Sequence, residues 1–583
     1  MRRTILLGAL LTVVTLTSGS ATASGPDDDV EGRFDRPQQG FAPASTVLRP
    51  GDPSEVGLDR RPIDAALQEI VAGTEAAPGR EHPMYAGAVS LLAHDGVVVS
   101  QEATGHAVRY ADGTGTELPP GQQERAGIGT IFDVASITKL FTSIAVLQLV
   151  ESDDVELNAP VAKYIPEFAA QGKQSITVEQ LLTHTSGLQA EVKLWKLPPE
   201  ERIPFVLGLK PENPPGTTYT YSDPNMITLG VLVERVSGST LDERVRTEIT
   251  EPLGLRDTGF NPPASKQHRI AATEFQQDPP RGMVRGEVHD ENAWSLGGVA
   301  GQAGIFSTVR DLAILGQTLL NGGGYGEQRI LEPASVEMML DNYNENFPGD
   351  DHGLGFELNQ RWYMGGLSGP RTAGHTGYTG TSLVLDPASR SVAVLLTNRV
   401  HPSRLWGSNN PARVALAQGL AESLAVPPKS GRDSWFADAR DEATLTTDEF
   451  RTVDGVARVS FSAFVDSQND TGGVDPLTVE ATADGGQTWR PLTLTATGKG
   501  AAPGPQTSLA GSGHRAWWQV EASFRTENDP AIQLRWRYAP DQQYVGRGVH
   551  VDEIRVADES GELLDAERNP ERLTPDGWRT TDR

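Results

Sequence analysis

Phe132-Asp133-Val134-Ala135-Ser136-Ile137-Thr138-Lys139-Leu140-Phe141-Thr142-Ser143-Ile144-Ala145-Val146-Leu147-Gln148-Leu149-Val150 is the stretch on which the reading of this chain turns. It is apolar on most faces and contains neither Gly nor Pro, which predicts a buried helix over 132–150. Ser136 and Lys139, near its start, are three positions apart and so share one helix face, where a hydroxyl and an amine can meet in one pocket. A serine alone is a weak nucleophile and needs a neighbouring base to take its proton. The N-terminus of a helix adds backbone N–H groups and a positive dipole end, both suited to a developing oxyanion. Lys139 is the chain's only lysine with serine three positions before it. A lysine whose stem packs while its charge reaches water is the ordinary alternative, and it fits poorly on so apolar a helix.

Outward from this helix the patterning supplies more elements. Apolar runs at 86–93 and 97–102 flank His94-Asp95-Gly96, and Asp-Gly between such runs predicts a β-hairpin. A second hairpin is predicted from 382–385 and 391–397. Helices are predicted at 177–182, 223–236, 308–320 and 411–425. Strands at both ends with helices between imply a layered α+β or α/β domain. Two tripeptides sit at the edges of these elements. Tyr221-Ser222-Asp223 opens the 223–236 helix, and a phenol beside a cationic amine has its pKa lowered and can act as a general base. His375-Thr376-Gly377 precedes the second hairpin, where Gly377 would let a substrate come close to a strand edge.

Ser136-Ile137-Thr138-Lys139, Tyr221-Ser222-Asp223 and His375-Thr376-Gly377, in that order, resemble the three motifs of the serine β-lactamase and penicillin-binding protein family. The nearest branch is that of class C β-lactamases, D-alanyl-D-alanine carboxypeptidases and β-lactamase-like esterases. The stretches 181–188, 254–260 and 298–307 are similar to others of that family. The resemblance spans about 49–426 and implies an α+β fold of the β-lactamase/transpeptidase type. In that fold an antiparallel sheet flanked by helices stands beside a helical lobe, with the site between them. It implies no metal and no organic cofactor. It also implies that Ser136 is the acylated nucleophile, Lys139 its proton partner, and Tyr221 the general base and later the acid for the leaving group. The backbone N–H groups of Ser136 and Tyr378 would form the oxyanion hole, and Asp223, His375, Thr376 and Gly377 would bind substrate. Two departures matter. Asp223 stands where β-lactamases usually have Asn, and a carboxylate there favours charged Lys139 and shifts the base role toward Tyr221. His375 stands where they usually have Lys, and a neutral imidazole attracts a substrate carboxylate less. Both lower the expectation of an efficient β-lactamase.

Composition bounds the rest. A formal charge of -27 repels phosphate backbones and anionic lipid heads, which disfavours a nucleic-acid or membrane-surface binder. The absence of cysteine removes disulfides, thiolate nucleophiles and Cys-ligated metals. Residues 1–23 read as a signal peptide: Arg2 and Arg3, an apolar run at 5–14, and Ala21-Thr22-Ala23 as the site of a cut after Ala23. The mature protein would be secreted, with no membrane anchor. Residues 24–48 read as a disordered acidic lead-in, 49–426 as the hydrolase domain and 427–435, around Pro427-Pro428, as a linker. In 436–583, Ile532, Leu534, Trp536 and Tyr538 alternate with Gln533, Arg535 and Arg537, a period of 2 that predicts an antiparallel β-sandwich. Residues 484–489, 534–538 and 548–554 resemble jelly-roll accessory modules of secreted bacterial hydrolases, which sometimes hold structural calcium. Trp489, Trp517, Trp518 and Trp536 are either sandwich core or a stacking platform for cell wall or carbohydrate. His184 reads as a hydrogen-bonded structural histidine, and 288–293 as a loop that shapes the cleft or lies on the surface.

The expected function is therefore a secreted serine hydrolase working through an acyl-enzyme on a small-molecule or peptide substrate. D-amino-acid peptides and other peptidoglycan-related amides come first, with β-lactams in the same class. A carboxylesterase of the same fold is the next reading, and a non-catalytic penicillin- or cell-wall-binding protein is the competing one.

Overall fold

The hairpin of Gly87–His94 and Val97–Val108 turns on Asp95 and Gly96, both at positive φ (45° and 76°). This computed structural model describes residues 32–438, 440–453, 455–470, 473–525, 531–541 and 546–583, so the signal peptide and its cut after Ala23 lie outside the described residues. Gly87–His94 pairs antiparallel with Ser391–Thr397, which brings distant parts of the chain side by side. Thr381–Asp386, Ala373–Gly377 and Glu357–Leu358 follow in that order toward one edge, and Arg49–Pro50 closes the other. Alternate strand residues enter different cores. Leu383, Leu385, Val392 and Val394 pack toward the helical lobe. Val384, Ala393 and Leu395 pack with Ile63, Ile70, Leu416 and Leu420 of the Arg60–Ala72 and Asn410–Ser423 helices. With both faces covered, each strand reads as a continuous apolar run rather than an alternating one. This is the β-lactamase/transpeptidase-type α+β architecture.

The 132–150 stretch departs from the helix predicted for it at one end. Phe132–Asp133 pairs with Ile305–Ser307 as a short strand. Ala135 then takes φ +47°, a 3-10 turn covers Ala135–Ile137, and the α-helix runs Thr138–Glu151. The cause is Asp133, whose buried carboxylate accepts the N–H of Ala135 at 2.8 Å and of His289 at 2.6 Å. These bonds hold a left-handed turn that a non-glycine residue adopts only under constraint. Thr138 to Leu147 are all buried. The Asp223–Ser237 helix packs alongside.

Beyond residue 433 two antiparallel sheets face each other. One runs through Leu494–Thr497, Trp517–Arg525, Val456–Asp466, Gly548–Asp558 and Ser434–Ala437; the other through Leu477–Thr482, Gln533–Tyr538 and Ala443–Thr447. Val459, Phe461, Val479, Leu534 and Trp536 fill the space between them, with Phe461 edge-on to Trp536 at 5.6 Å. This strand-rich region fits an all-β module. Trp518 and Trp536 are core, Trp517 packs against Phe464, and Trp489 lies under the Arg535 guanidinium. The four tryptophans thus form no common platform, because three of them serve packing.

The expectation of a disordered lead-in is corrected for its described part. Phe34 is 1% exposed, its N–H bonds the Ala425 carbonyl, and Ala42 bonds the Leu320 carbonyl. Phe34 is held because it fills a cleft at the seam of the two cores, edge-on to Phe464 and beneath the Arg515 and Arg547 guanidiniums. Arg515 crosses that seam to Asp386 at 2.7 Å, with both side chains almost fully buried. Arg515 also donates to Leu367 O, and Gln418 donates to Gly546 O. Among the described residues no helix is long and apolar enough to cross a membrane.

Candidate active site

The turn held by Asp133 delivers Ser136 to the mouth of a cleft of about 630 Å³ between sheet and helical lobe, lined also by Tyr219, Tyr221, Glu357, Trp362, Thr376 and Gly377. One helical turn on, Lys139 is 1% exposed and its Nζ donates to Ser136 Oγ at 2.9 Å. The same Nζ stands 2.9 Å from Asp223 Oδ1, 3.3 Å from the Gln302 carbonyl and 4.6 Å from the centre of the Tyr221 ring. Burial works against the Lys139 charge, but Asp223, and after it Tyr221, outweigh burial and raise its pKa. Lys139 rests as an ammonium.

Tyr221 differs from its expectation. Burial pushes its phenol up to about 12; Lys139 pulls it down and Asp223 pushes it up again. The lowered pKa predicted for a phenol next to an amine is lost because the amine is already paired to a carboxylate and the ring is enclosed. At neutral pH the group is a phenol. His184 steadies this segment: its Nδ1 accepts the Ser222 N–H at 3.0 Å, and its ring lies 4.8 Å from that of Tyr221.

Of the four residues expected to bind substrate, Thr376 and Gly377 line the cleft, whereas Asp223 and His375 are not among its lining residues. Asp223 is turned onto Lys139. His375 is 1% exposed, its Nδ1 lies 2.8 Å from Thr376 O, and burial pushes its pKa down to about 3. It offers no charge to a substrate. Gly377 has a different reason from the one predicted. A Cβ there would lie 2.4 Å from the Val134 carbonyl and 2.1 Å from Thr381 Oγ1, so glycine admits the turn that carries Ser136 to the strand. Thr379 and Thr381 hydroxyls tie the same turn through Asp133 O and Val134 O. Neither the Ser136 N–H nor the Tyr378 N–H donates to another group among the described residues.

Asp290 belongs to the 288–293 stretch read as a loop, whereas Arg413 and Glu357 carried no signal of their own. Asp290 caps the short Glu291–Ser295 helix through the Ala293 N–H and accepts from Gln302 Nε2, which sets the loop whose Gln302 carbonyl meets Lys139. Burial and the nearby Asp223 charge push Asp290 up to about 6. The 288–293 stretch is therefore interior: His289 is buried on Glu274 at 3.0 Å. Arg413 holds the Gly377 and Thr381 carbonyls at 2.7 and 3.0 Å. Glu357, the lone acid of Leu354-Gly355-Phe356-Glu357-Leu358, reaches the cleft only because Glu357–Leu358 pairs with Ala373–Gly377.

The family model described as "Beta-lactamase" matches residues 71–418. An Escherichia coli (strain K12) protein named "Putative D-alanyl-D-alanine carboxypeptidase" is 34% identical over 354 residues, covering 55% of this chain and 80% of that protein. A Salmonella schwarzengrund (strain CVM19633) protein of the same name is 33% identical over 399 residues, covering 62% and 88%. Among solved structures, a penicillin-binding protein homolog from Caulobacter crescentus superposes with a TM-score of 0.49 at 24% identity, covering 63% of this chain and 99% of that one.

Proposed function

This chain belongs to the beta-lactamase family of serine hydrolases, and from that premise we propose that Ser136 is its acylated nucleophile and D-amino-acid peptides its substrates. The observation that carries the reading is the buried Lys139 ammonium, 2.9 Å from both Ser136 Oγ and Asp223 Oδ1, with Tyr221 over it. The reactive form lacks one proton from the Lys139–Tyr221 pair. Ser136 Oγ attacks the substrate carbonyl carbon as its proton fills that vacancy through Tyr221 Oη. The carbonyl oxygen, now an anion, takes the N–H groups of Ser136 and Tyr378. Collapse breaks the bond to the leaving group, which takes the proton from Tyr221. Water then repeats the sequence on the acyl-serine and releases the acid. Lys139 remains the cation that steadies each anionic state.

Arg399 and Arg413, bonded to carbonyls and to Asn410, and Arg404, paired with Glu274 and Glu291, line the cleft. They leave it a net positive wall, which supports a peptide ending in a free carboxylate and a D,D-carboxypeptidase reading. β-Lactams fall within the same acyl-transfer chemistry. A carboxylesterase is the second reading. It is favoured by the uncharged His375 and by Arg413, whose Nη groups are committed to Asn410, Gly377 and Thr381. Intact-mass measurement after mixing with a penicillin, an activated acetyl ester and a D-alanyl-D-alanine peptide, beside Ser136→Ala, tests both. A Ser136-dependent adduct or turnover is expected, and its absence with all three reagents overturns the assignment. Which reagent is released fastest separates peptidase, β-lactamase and esterase.

The proposed export gives a mature N-terminus at Ser24, readable by terminal sequencing of the secreted protein. Domains at 49–426 and 436–583 joined across 427–435 remain our division of the chain. Contact of the second domain with wall polymer or carbohydrate would fall on the groove of Arg458, Ser460, Thr495, Glu521 and Arg555 rather than on tryptophans. Co-sedimentation with purified cell wall, lost in Arg458→Ala/Arg555→Ala, tests that contact.

A further inference from the structure

Glu357 lies on the edge strand Glu357–Leu358, paired with Gly374, and its side chain lines the same cleft as Ser136 and Tyr221. Paired residues of adjacent strands send their side chains to one face. Position 374 has no side chain, and a Cβ there would come within 2.9 Å of the Tyr363 ring and hydroxyl. The Tyr363 ring and hydroxyl therefore fill the space beside Gly374, the strand partner of Glu357. Its Oε2 is enclosed and has no hydrogen-bond partner. A carboxylate oxygen so shielded leaves the group short of donors, and a ligand in the cleft that Glu357 lines can supply one. Two internal groups stand near the Glu357 carboxyl. One is Tyr363, whose buried hydroxyl has no other partner among the described residues and pulls the Glu357 pKa down. The other is Arg413, whose Nη groups are held by Asn410 Oδ1 and the carbonyls of Gly377 and Thr381, while its Nε has no partner among the described residues. Tyr219 and Trp362 line the same cleft. A carboxylate with aromatic rings on the same wall is the chemistry that recognises an organic cation, by charge-assisted hydrogen bonds and by attraction to ring faces.

We propose that Glu357, flanked by Tyr219 and Trp362, is a specificity-determining residue of this cleft and receives a primary ammonium group of the substrate. The substrate class is thereby narrowed to amides or esters that carry an amine on the portion lying along Glu357–Leu358. This inference rests on the reading of Ser136 as the nucleophile.

The test uses matched substrates: activated esters and amides bearing a primary amine on the acyl side or on the leaving side, each beside its N-acetyl counterpart. The readout is the ratio of kcat/KM within each pair, measured from about pH 5.5 to about pH 8. Tyr219, Tyr363, Arg413, Lys139 and His352 face Glu357 from the neighbouring segments. Tyr219, Tyr363 and Lys139 are raised, burial lowers Arg413 to about 10, and burial pushes His352 down to about 4. Burial pushes Glu357 up to about 7, against the opposing pull of Tyr363 and Arg413. It alone of these groups changes charge in that window. Titration of the Lys139–Tyr221 pair affects both members of a pair alike and cancels in the ratio. In one pair the amine is expected to be preferred about tenfold or more at the alkaline end. That preference should fall toward unity as Glu357 takes up its proton, and Glu357→Gln should abolish it at every pH, mainly through KM. A purely structural role would lower both members together and leave the ratio standing. No preference in any pair, a preference independent of pH, or one retained in Glu357→Gln overturns the proposal. Should Glu357→Gln not fold, the pH dependence of the native ratio decides alone. Turnover of the neutral members without preference for the amine sinks only this inference; no Ser136-dependent turnover of any member sinks the reading of Ser136 and this inference with it.

Discussion

At the residue scale, Asp223 sets the protonation of the site. Its carboxylate sits 2.9 Å from Lys139 Nζ and, by charge, raises both Lys139 and Tyr221. The base form of the pair is scarce at neutral pH and grows as pH rises, so log kcat/KM of the native protein should climb from about pH 7 to about pH 10. Asp223→Asn removes the negative charge, lowers both pKa values and moves that limb to lower pH by about one to three units. A pH–rate profile on a neutral ester checks this, and an unchanged limb would assign the titration to another group. Tyr221→Phe deletes the hydroxyl proposed to relay the proton and is expected to lower kcat by about 100-fold or more while a penicillin or ester still binds. Ser136 and Lys139 were legible in sequence through their spacing on an apolar helix, together with the two later motifs that complete the resemblance. The protonation state of Tyr221 was not, because it depends on how completely the ring is enclosed and on the carboxylate beyond Lys139.

At the element scale, the site exists because the Ala373–Gly377 strand presses against the turn that carries Ser136. Val134 O and Thr381 Oγ1 occupy the places where a Cβ at 377 would go. Gly377→Ala should therefore separate strand from turn by a fraction of an ångström or more and pull the Tyr378 N–H from the Ser136 N–H. Since misplacement by about 1 Å costs about 100-fold in rate, kcat/KM should fall by that order with a smaller proportional change in thermal stability. Equal activity in Gly377→Ala would show that the two elements tolerate separation. The helix and the strand were both readable from apolar patterning. Their closeness was not, nor was the Asp133-held turn that replaces the first helical residues, since Phe132, Val134 and Ile137 are apolar and buried in either conformation.

At the scale of the whole molecule, the two cores are joined by a dry, charged seam. Asp386 closes the Thr381–Asp386 strand, one strand away from Gly377, and accepts the buried Arg515 from the sandwich side. Asp386→Ala leaves that guanidinium buried and unpaired, and is expected to cost about 3–5 kcal/mol, seen as a lower Tm or denaturant midpoint. Asp386→Ala/Arg515→Met should recover part of the loss; no recovery would mean that the pair is not what the single variant disrupts. Phe34→Ala, which empties the seam between Phe464, Arg515 and Arg547, is expected to cost about 3–5 kcal/mol as well.

The three motifs that resemble those of the family, their order along the chain and the class of both cores are readable from sequence alone. Helical spacing carries Ser136 to Lys139, and a period of 2 with one wet face marks the sandwich strands. Tertiary structure alone decided which charges are neighbours. His375 is neutral because it is enclosed, Arg413 is occupied by carbonyls 32 and 36 positions away, Glu357 reaches the cleft through an edge pairing, and Phe34 is ordered by a cleft that neither core makes by itself. Local spacing specifies contacts within a turn or a strand. Burial and through-space charge depend on what distant segments bring to the same place.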